Sequence, residues 1–81
     1  MSQERVGRMI ADHQAAIARQ EYSGTHATIC EVLRDLAAAV ITEGQAIRIL
    51  ATTRACIDDP ARQALYRQAI DALRQMQAEE H

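Results

Sequence analysis

The sequence has no phenylalanine, tryptophan or lysine, and only one proline and three glycines among its 81 residues. Without phenylalanine and tryptophan, two tyrosines supply all the aromatic bulk, so any core must be built from aliphatic side chains and alanine. The shortage of proline and glycine excludes collagen-like and low-complexity chains and leaves few obvious places for a helix to stop. The two cysteines, Cys30 and Cys56, lack the close spacing of a zinc ribbon or a redox motif. Both are expected to be reduced and buried in a cytoplasmic protein. No run of about 18 apolar residues exists, and Arg5, Arg8, Asp12 and Arg19 interrupt the first turns, so neither a membrane span nor a secretory leader is expected. A dominant charge is missing too. Nine arginines face eleven acids for a net charge of −2, dispersed singly along the chain. That pattern is neither the basic stripe of a nucleic-acid binder nor an acidic tail, so nucleic acid is not expected as a partner.

What the chain does contain is helix-forming material. Sixteen alanines and eighteen large aliphatics (Leu, Ile, Val and the methionines after Met1) dominate a composition that is 48% hydrophobic and 25% charged. Alanine is the best helix former and lets helices approach closely, and strand signals are absent. The length allows one domain over residues 1–81. The expected fold is all-α, a small bundle of three or four amphipathic helices. A domain this small, without large aromatics, sits near the margin of stability, so completion of the bundle by a homodimer is expected. All-arginine usage with abundant alanine is a compositional association with GC-rich bacterial or phage genomes.

Helical periodicity organises the chain. From Ser2 to Tyr22, Val6, Ile10, His13 and Ile17 form one narrow stripe flanked by Met9 and Ala16, with Arg8, Asp12 and Arg19 opposite. Ser23-Gly24-Thr25 is expected to end this helix, with Gly24 left-handed and Thr25 capping the next. From His26 to Ile41 the apolar face holds Ile29, Val32, Leu33, Leu36 and Val40. Thr42-Glu43-Gly44-Gln45 fits a capping box with Ile41 as a staple. A break there is favoured over one helix from 25 to 57, although the apolar phase runs on through Gly44, Ile47 and Ala51. Between 43 and 57, Ala46, Ile47, Ile49, Leu50, Cys56 and Ile57 cover more than half the girth, which predicts a central helix or a subunit interface. Asp59 reads as an N-cap and Pro60 as the first residue of a last helix to Glu79. Its face carries Leu65, Ala69, Leu73 and Met76, widened by Tyr66 and Ile70, and Asp71 can pair with Arg67 and Arg74 on the solvent side.

Few residues carry a chemical signal. His13 stands in an apolar stripe, where a polar ring must find a hydrogen-bond partner, and its charge changes near neutrality. His26 and Cys30 lie one turn apart, and with His13 and Cys56 could make a four-ligand set of zinc type, though dispersed single ligands are a much poorer signal than CxxC pairs. The expected ground state is no metal and no cofactor. Leu36-Ala37-Ala38-Ala39-Val40, with Thr42, Ile47 and Leu50, resembles the helix-turn-helix of phage-type repressors. In that resemblance Ala37 is the small residue of the first helix, and Ile47 and Leu50 anchor the recognition helix. The sequence departs from the pattern at Ile41, where a turn glycine is preferred, and at Gly44 inside the second helix. Ser23 has no nucleophile-elbow context, no glycine loop can cradle phosphate, and Asp58-Asp59 is accounted for by capping, so an enzyme is not expected.

The function expected from these residues is that of a small non-enzymatic protein, a regulator, inhibitor or adaptor, acting through an unidentified protein partner. Its interface is expected on Ile10, His13 and Ile17 of the first helix and on Ile47, Arg48, Ile49 and Leu50 of the third. A DNA-binding regulator around residues 36–50 is the alternative, and a metal- or thiol-responsive sensor the third reading.

Overall fold

The computed structural model describes residues 3–80, and the expected helix start at Ser2, like His81, lies outside them. Four helices follow one another: α1 Gln3–Ala18, α2 Ser23–Ala37, α3 Glu43–Ala55 and α4 Pro60–Glu79. Among the described residues there is no strand.

The first two helices are stopped by residues with side chains, not by glycine. At the end of α1, Glu21 N–H donates to the Ala16 carbonyl (3.0 Å) and Gln20 N–H to that of Ile17 (2.9 Å), with Gln20 left-handed at φ 60°. At the end of α2, Val40 N–H donates to Asp35 (2.9 Å) and Ala39 N–H to Leu36 (3.0 Å), with Ala39 at φ 59°. Both are Schellman closures, a geometry that glycine usually serves because a Cβ is strained there. This corrects the expectation for Gly24. It has no positive φ and lies in the first turn of α2, because Gln20 has already closed α1. Thr25 is buried inside α2 and does not cap it; Tyr22, itself left-handed, holds that position without a side-chain hydrogen bond. Helix α2 also stops at Ala37, short of the expected Ile41.

The remaining boundaries follow the side-chain chemistry. Thr42 Oγ1 accepts from Gln45 N–H (3.1 Å), and Gln45 Oε1 accepts from Thr42 N–H (2.8 Å), so the capping box breaks the chain between α2 and α3. Asp59 caps α4 by accepting from Ala61 N–H (3.2 Å), with Pro60 leading the helix. The Gln63 side chain donates back to the Ile57 carbonyl, tying the α3–α4 connection to the first turn of α4.

Packing centres on α2. It pairs along its length with α1 and also touches α3 and α4, while α3 packs chiefly on α4. Seven α2 residues are buried and five of α4, against only Val6 and Ala16 of α1 and Ala46 and Leu50 of α3. One continuous core joins Val6, Ile29, Leu33, Leu36, Leu50, Tyr66, Ile70 and Leu73. Helix α3 therefore is not central. It faces α4 with a narrow inner side, leaves Ile49 41% exposed, and ends at Cys56, which is exposed and not buried as expected. Asp71 makes no ion pair with Arg67 or Arg74; the ion pairs among described residues include Arg5–Glu79, Arg19–Glu21 and Asp59–Arg62. The radius of gyration is 11.9 Å, against about 11.7 Å expected for a closed globule of this length. Among the described residues, no helix is long and apolar enough to cross a membrane.

The glycines are misplaced for stability, which generates a paired prediction. Ala39→Gly should relieve the left-handed strain and stabilise the fold by about 0.5–1 kcal/mol after the unfolded-state entropy is subtracted. Gly7→Ala, mid-helix with nothing within 4 Å of the added Cβ, should add about 0.5–1 kcal/mol. Urea unfolding checks both; a loss of stability in either variant contradicts the assignment.

Candidate functional site

Helices α1 and α2 form a hairpin centred on Gln20, so residues about equally far from Gln20 face each other, as Ile10 faces Cys30 and Gln3 faces Ala37. That register sets His13 of α1 against His26 in the first turn of α2. Their Nδ1 atoms lie 2.7 Å apart, with ring centroids separated by 4.9 Å and planes tilted by 44°. His26 is buried and His13 half-buried. At this separation one Nδ1–H donates and the other Nδ1 accepts, so the accepting ring carries its proton on Nε2. The pair answers the question posed by a histidine in an apolar stripe: each ring satisfies the other.

The pair borders a groove between α1 and α4. No Cα of α1 lies within 8 Å of one in α4 among the described residues, so side chains alone bridge the two helices. The resulting opening has a volume of about 370 Å³, with Met9, Ala16, Leu65 and Ala69 as apolar lining and Asp12, Arg19, Glu21 and Gln68 as polar lining. A second depression of about 330 Å³ shares Met9, Asp12 and Ala72 and continues the groove to Arg5 and Arg8. Charges along it are largely balanced locally: Arg19 pairs with Glu21 at 3.3 Å, and Arg5 with Glu79.

The four-ligand set does not assemble. The structure brings His13 to His26, but Cys30 turns its thiol to the Ile10 carbonyl (3.7 Å), and Cys56 lies exposed at the far end of α3. Among the described residues, no three His, Cys, Asp or Glu side chains are placed to hold a metal ion. Burial pushes the Cys30 thiol pKa up, against a smaller opposing effect of Arg34. Burial likewise holds the His13 pKa below its usual value, aided by the charge of His26 and opposed by Asp12.

The expected interface residues divide between inside and outside. Leu50 is fully buried in the core, and Ile10 and Ile47 are half-buried against it. Ile17 is half-buried and His13 faces His26, leaving Arg48 and Ile49 exposed. Val40, placed on the inner face of α2 from the sequence, is instead 71% exposed. It occupies the position after the left-handed Ala39, where an apolar residue commonly packs back on the last turn of the helix. That turn offers Asp35 and Arg34, both exposed, so Val40 has no apolar partner there. Periodicity alone could not reveal this, because nothing apolar marks Ala39 as the point where the helix ends.

Comparison with protein-family models, with curated proteins and with solved structures finds no match.

Two predictions follow the chemistry of these side chains. The fold favours neutral His13, so its contribution to stability is complete above the unfolded-state pKa of about 6.5 and is lost as pH falls through the lower folded value. The urea midpoint should be level from pH 8 to 7 and decline below about 6.5, with a shallower decline in His13→Gln. A midpoint unchanged down to pH 5.5 contradicts this. For the thiols, a disulfide reagent at pH 8 should titrate one cysteine rapidly, Cys56, and the second only in denaturant. Cys56→Ser should abolish the rapid phase; a rapid phase that persists contradicts the burial of Cys30.

Proposed function

We propose that this chain is a non-enzymatic regulator or adaptor that binds protein, and that it uses the corner between α2 and α3, first of all to pair with a second copy of itself. The observation that carries the reading is Val40. It stands exposed at the corner between Ala39 and Ile41, which with Leu36, Thr42 and Glu43 line an open depression of about 220 Å³. A projecting apolar side chain next to an apolar dent is self-complementary, as a two-fold interface requires: the knob of each copy seats in the dent of the other. Ile49 adds a second exposed apolar side chain on α3, with Arg48 beside it. Covering what is still exposed of Val40 (71%) and Ile49 (41%) contributes roughly 0.5–2 kcal/mol each, counted twice by symmetry.

Light scattering over a concentration series tests this. The wild type should approach twice the 9.0 kDa chain mass, and Val40→Glu and Ile49→Glu should remain monomeric with unchanged helicity, since both side chains are already exposed. Leu50→Glu is uninformative, because it would bury a carboxylate in the core and unfold the chain. A wild type that stays at the mass of one chain at high concentration refutes pairing through this corner.

One observation favours the DNA-binding alternative. Ile47 and Leu50 face the core while Gln45, Arg48 and Thr52 are exposed on α3, the division of labour of a recognition helix. The net charge of −2 works against phosphate binding. This reading requires duplex affinity that falls steeply with salt and drops in Arg48→Ala; no binding at micromolar protein in about 50 mM salt eliminates it.

A further inference from the structure

We propose that the His13–His26 contact is a proton-operated latch, which holds the C-terminal half of α1 against α2 when it carries at most one added proton and releases it when it carries two. Four ring nitrogens share the protons of the pair. In the neutral pair the donor ring has its proton on Nδ1 and a bare Nε2, while the acceptor ring has its proton on Nε2. The first proton taken from solvent goes to the bare Nε2 of the donor ring, and the Nδ1–H···Nδ1 bond survives as a charge-assisted one. The second can only go to the accepting Nδ1. Two N–H groups then point at each other across 2.7 Å, between two positive rings of which one is buried and the other half-buried. That arrangement is repulsive, and the rings must part.

What parts is determined by the packing. Helix α1 is held at its N-terminal end by fully buried Val6 and by the Arg5–Glu79 ion pair to α4. Its C-terminal half has only Ala16, half-buried Ile17 and the histidine pair, and it never approaches the backbone of α4 or α3. The groups facing the pair do not cancel a second charge. From α1 there is Asp12, and from the α1–α2 connection Arg19 and Glu21, already paired with each other. Helix α4 contributes Gln68 and apolar side chains but no charge to this part of the groove, and α3 does not pack on α1. Of charged α2 side chains, Arg34 acts on Cys30 and adds positive charge. Opening the latch widens the groove and uncovers Met9, Ala16, Leu65 and Ala69. The latch is independent of the α2–α3 corner and of what binds there.

Amide and imidazole NMR on the full chain at pH 7.5 and pH 5.0 tests it. At pH 7.5 the two rings should show opposite tautomers, one Nδ1–H and one Nε2–H. At pH 5.0 the amide resonances of residues 10–22 should shift, and their heteronuclear NOE values should fall, while those of α3, and of α4 outside the groove-lining residues 65–72, stay in place. His13→Gln, which keeps a hydrogen-bonding side chain but leaves only one titrating ring, should remain closed at pH 5.0. The proposal is overturned if residues 10–22 do not respond in the wild type, if all four helices respond together, or if His13→Gln opens as the wild type does. Should His13→Gln fail to fold, the localisation of the wild-type response decides the matter alone.

Discussion

The rest of this molecule depends on α2 being the one helix whose backbone every other helix approaches closely. With no phenylalanine or tryptophan to fill volume, the core is made of short aliphatic side chains, and these reach only when helix axes come close. Ile29, Leu33 and Leu36 supply the shared surface on which α1, α3 and α4 meet, with Tyr66 the one aromatic ring in the core. Helix α1 reaches the core through α2, so apart from the Arg5–Glu79 ion pair to α4 its attachment is only as firm as the seam formed by Val6, Ile10, His13 and Ala16. A histidine pair in that seam introduces a proton-dependent element at the place where the bundle has least redundancy.

The same economy explains the two strained turns. Closing α1 at Gln20 and α2 at Ala39 with left-handed residues keeps both connections short. The closure at Ala39 has a second consequence. It throws Val40 outward over a polar last turn, and so makes the most exposed large apolar side chain described on the protein.

Much of the fold was legible in the sequence where a side chain does the work. Thr42 with Gln45, and Asp59 with Pro60, marked their boundaries to the residue, and α4 ran from Pro60 to Glu79 as its periodicity implied. Boundaries set by backbone geometry were not legible. Gly24 looked like a helix stop, but Gln20 closed the helix first, and nothing in Ala37-Ala38-Ala39 distinguishes the last helical alanine from the left-handed one. Periodicity assigned Ile47, Ile49 and Leu50 to one broad apolar surface, but could not say which neighbour covers which part. The structure covers Leu50 and leaves Ile49 out. The histidines were conspicuous singly, while their contact depended on the hairpin register, which the position of Gln20 determines.

If α2 is the hub and α1 hangs from it, the protein should open in stages. Native-state hydrogen exchange at pH 7.5, with increasing denaturant below the unfolding midpoint, measures this most directly. Amides of Ile29, Leu33 and Leu36 in α2 and of Ile70 and Leu73 in α4 should exchange only through global unfolding, while those of α1 beyond Val6 open at a lower free energy. Exchange of the α1 amides at the same free energy as Leu33 would show that the bundle has no separable helix and would contradict the account.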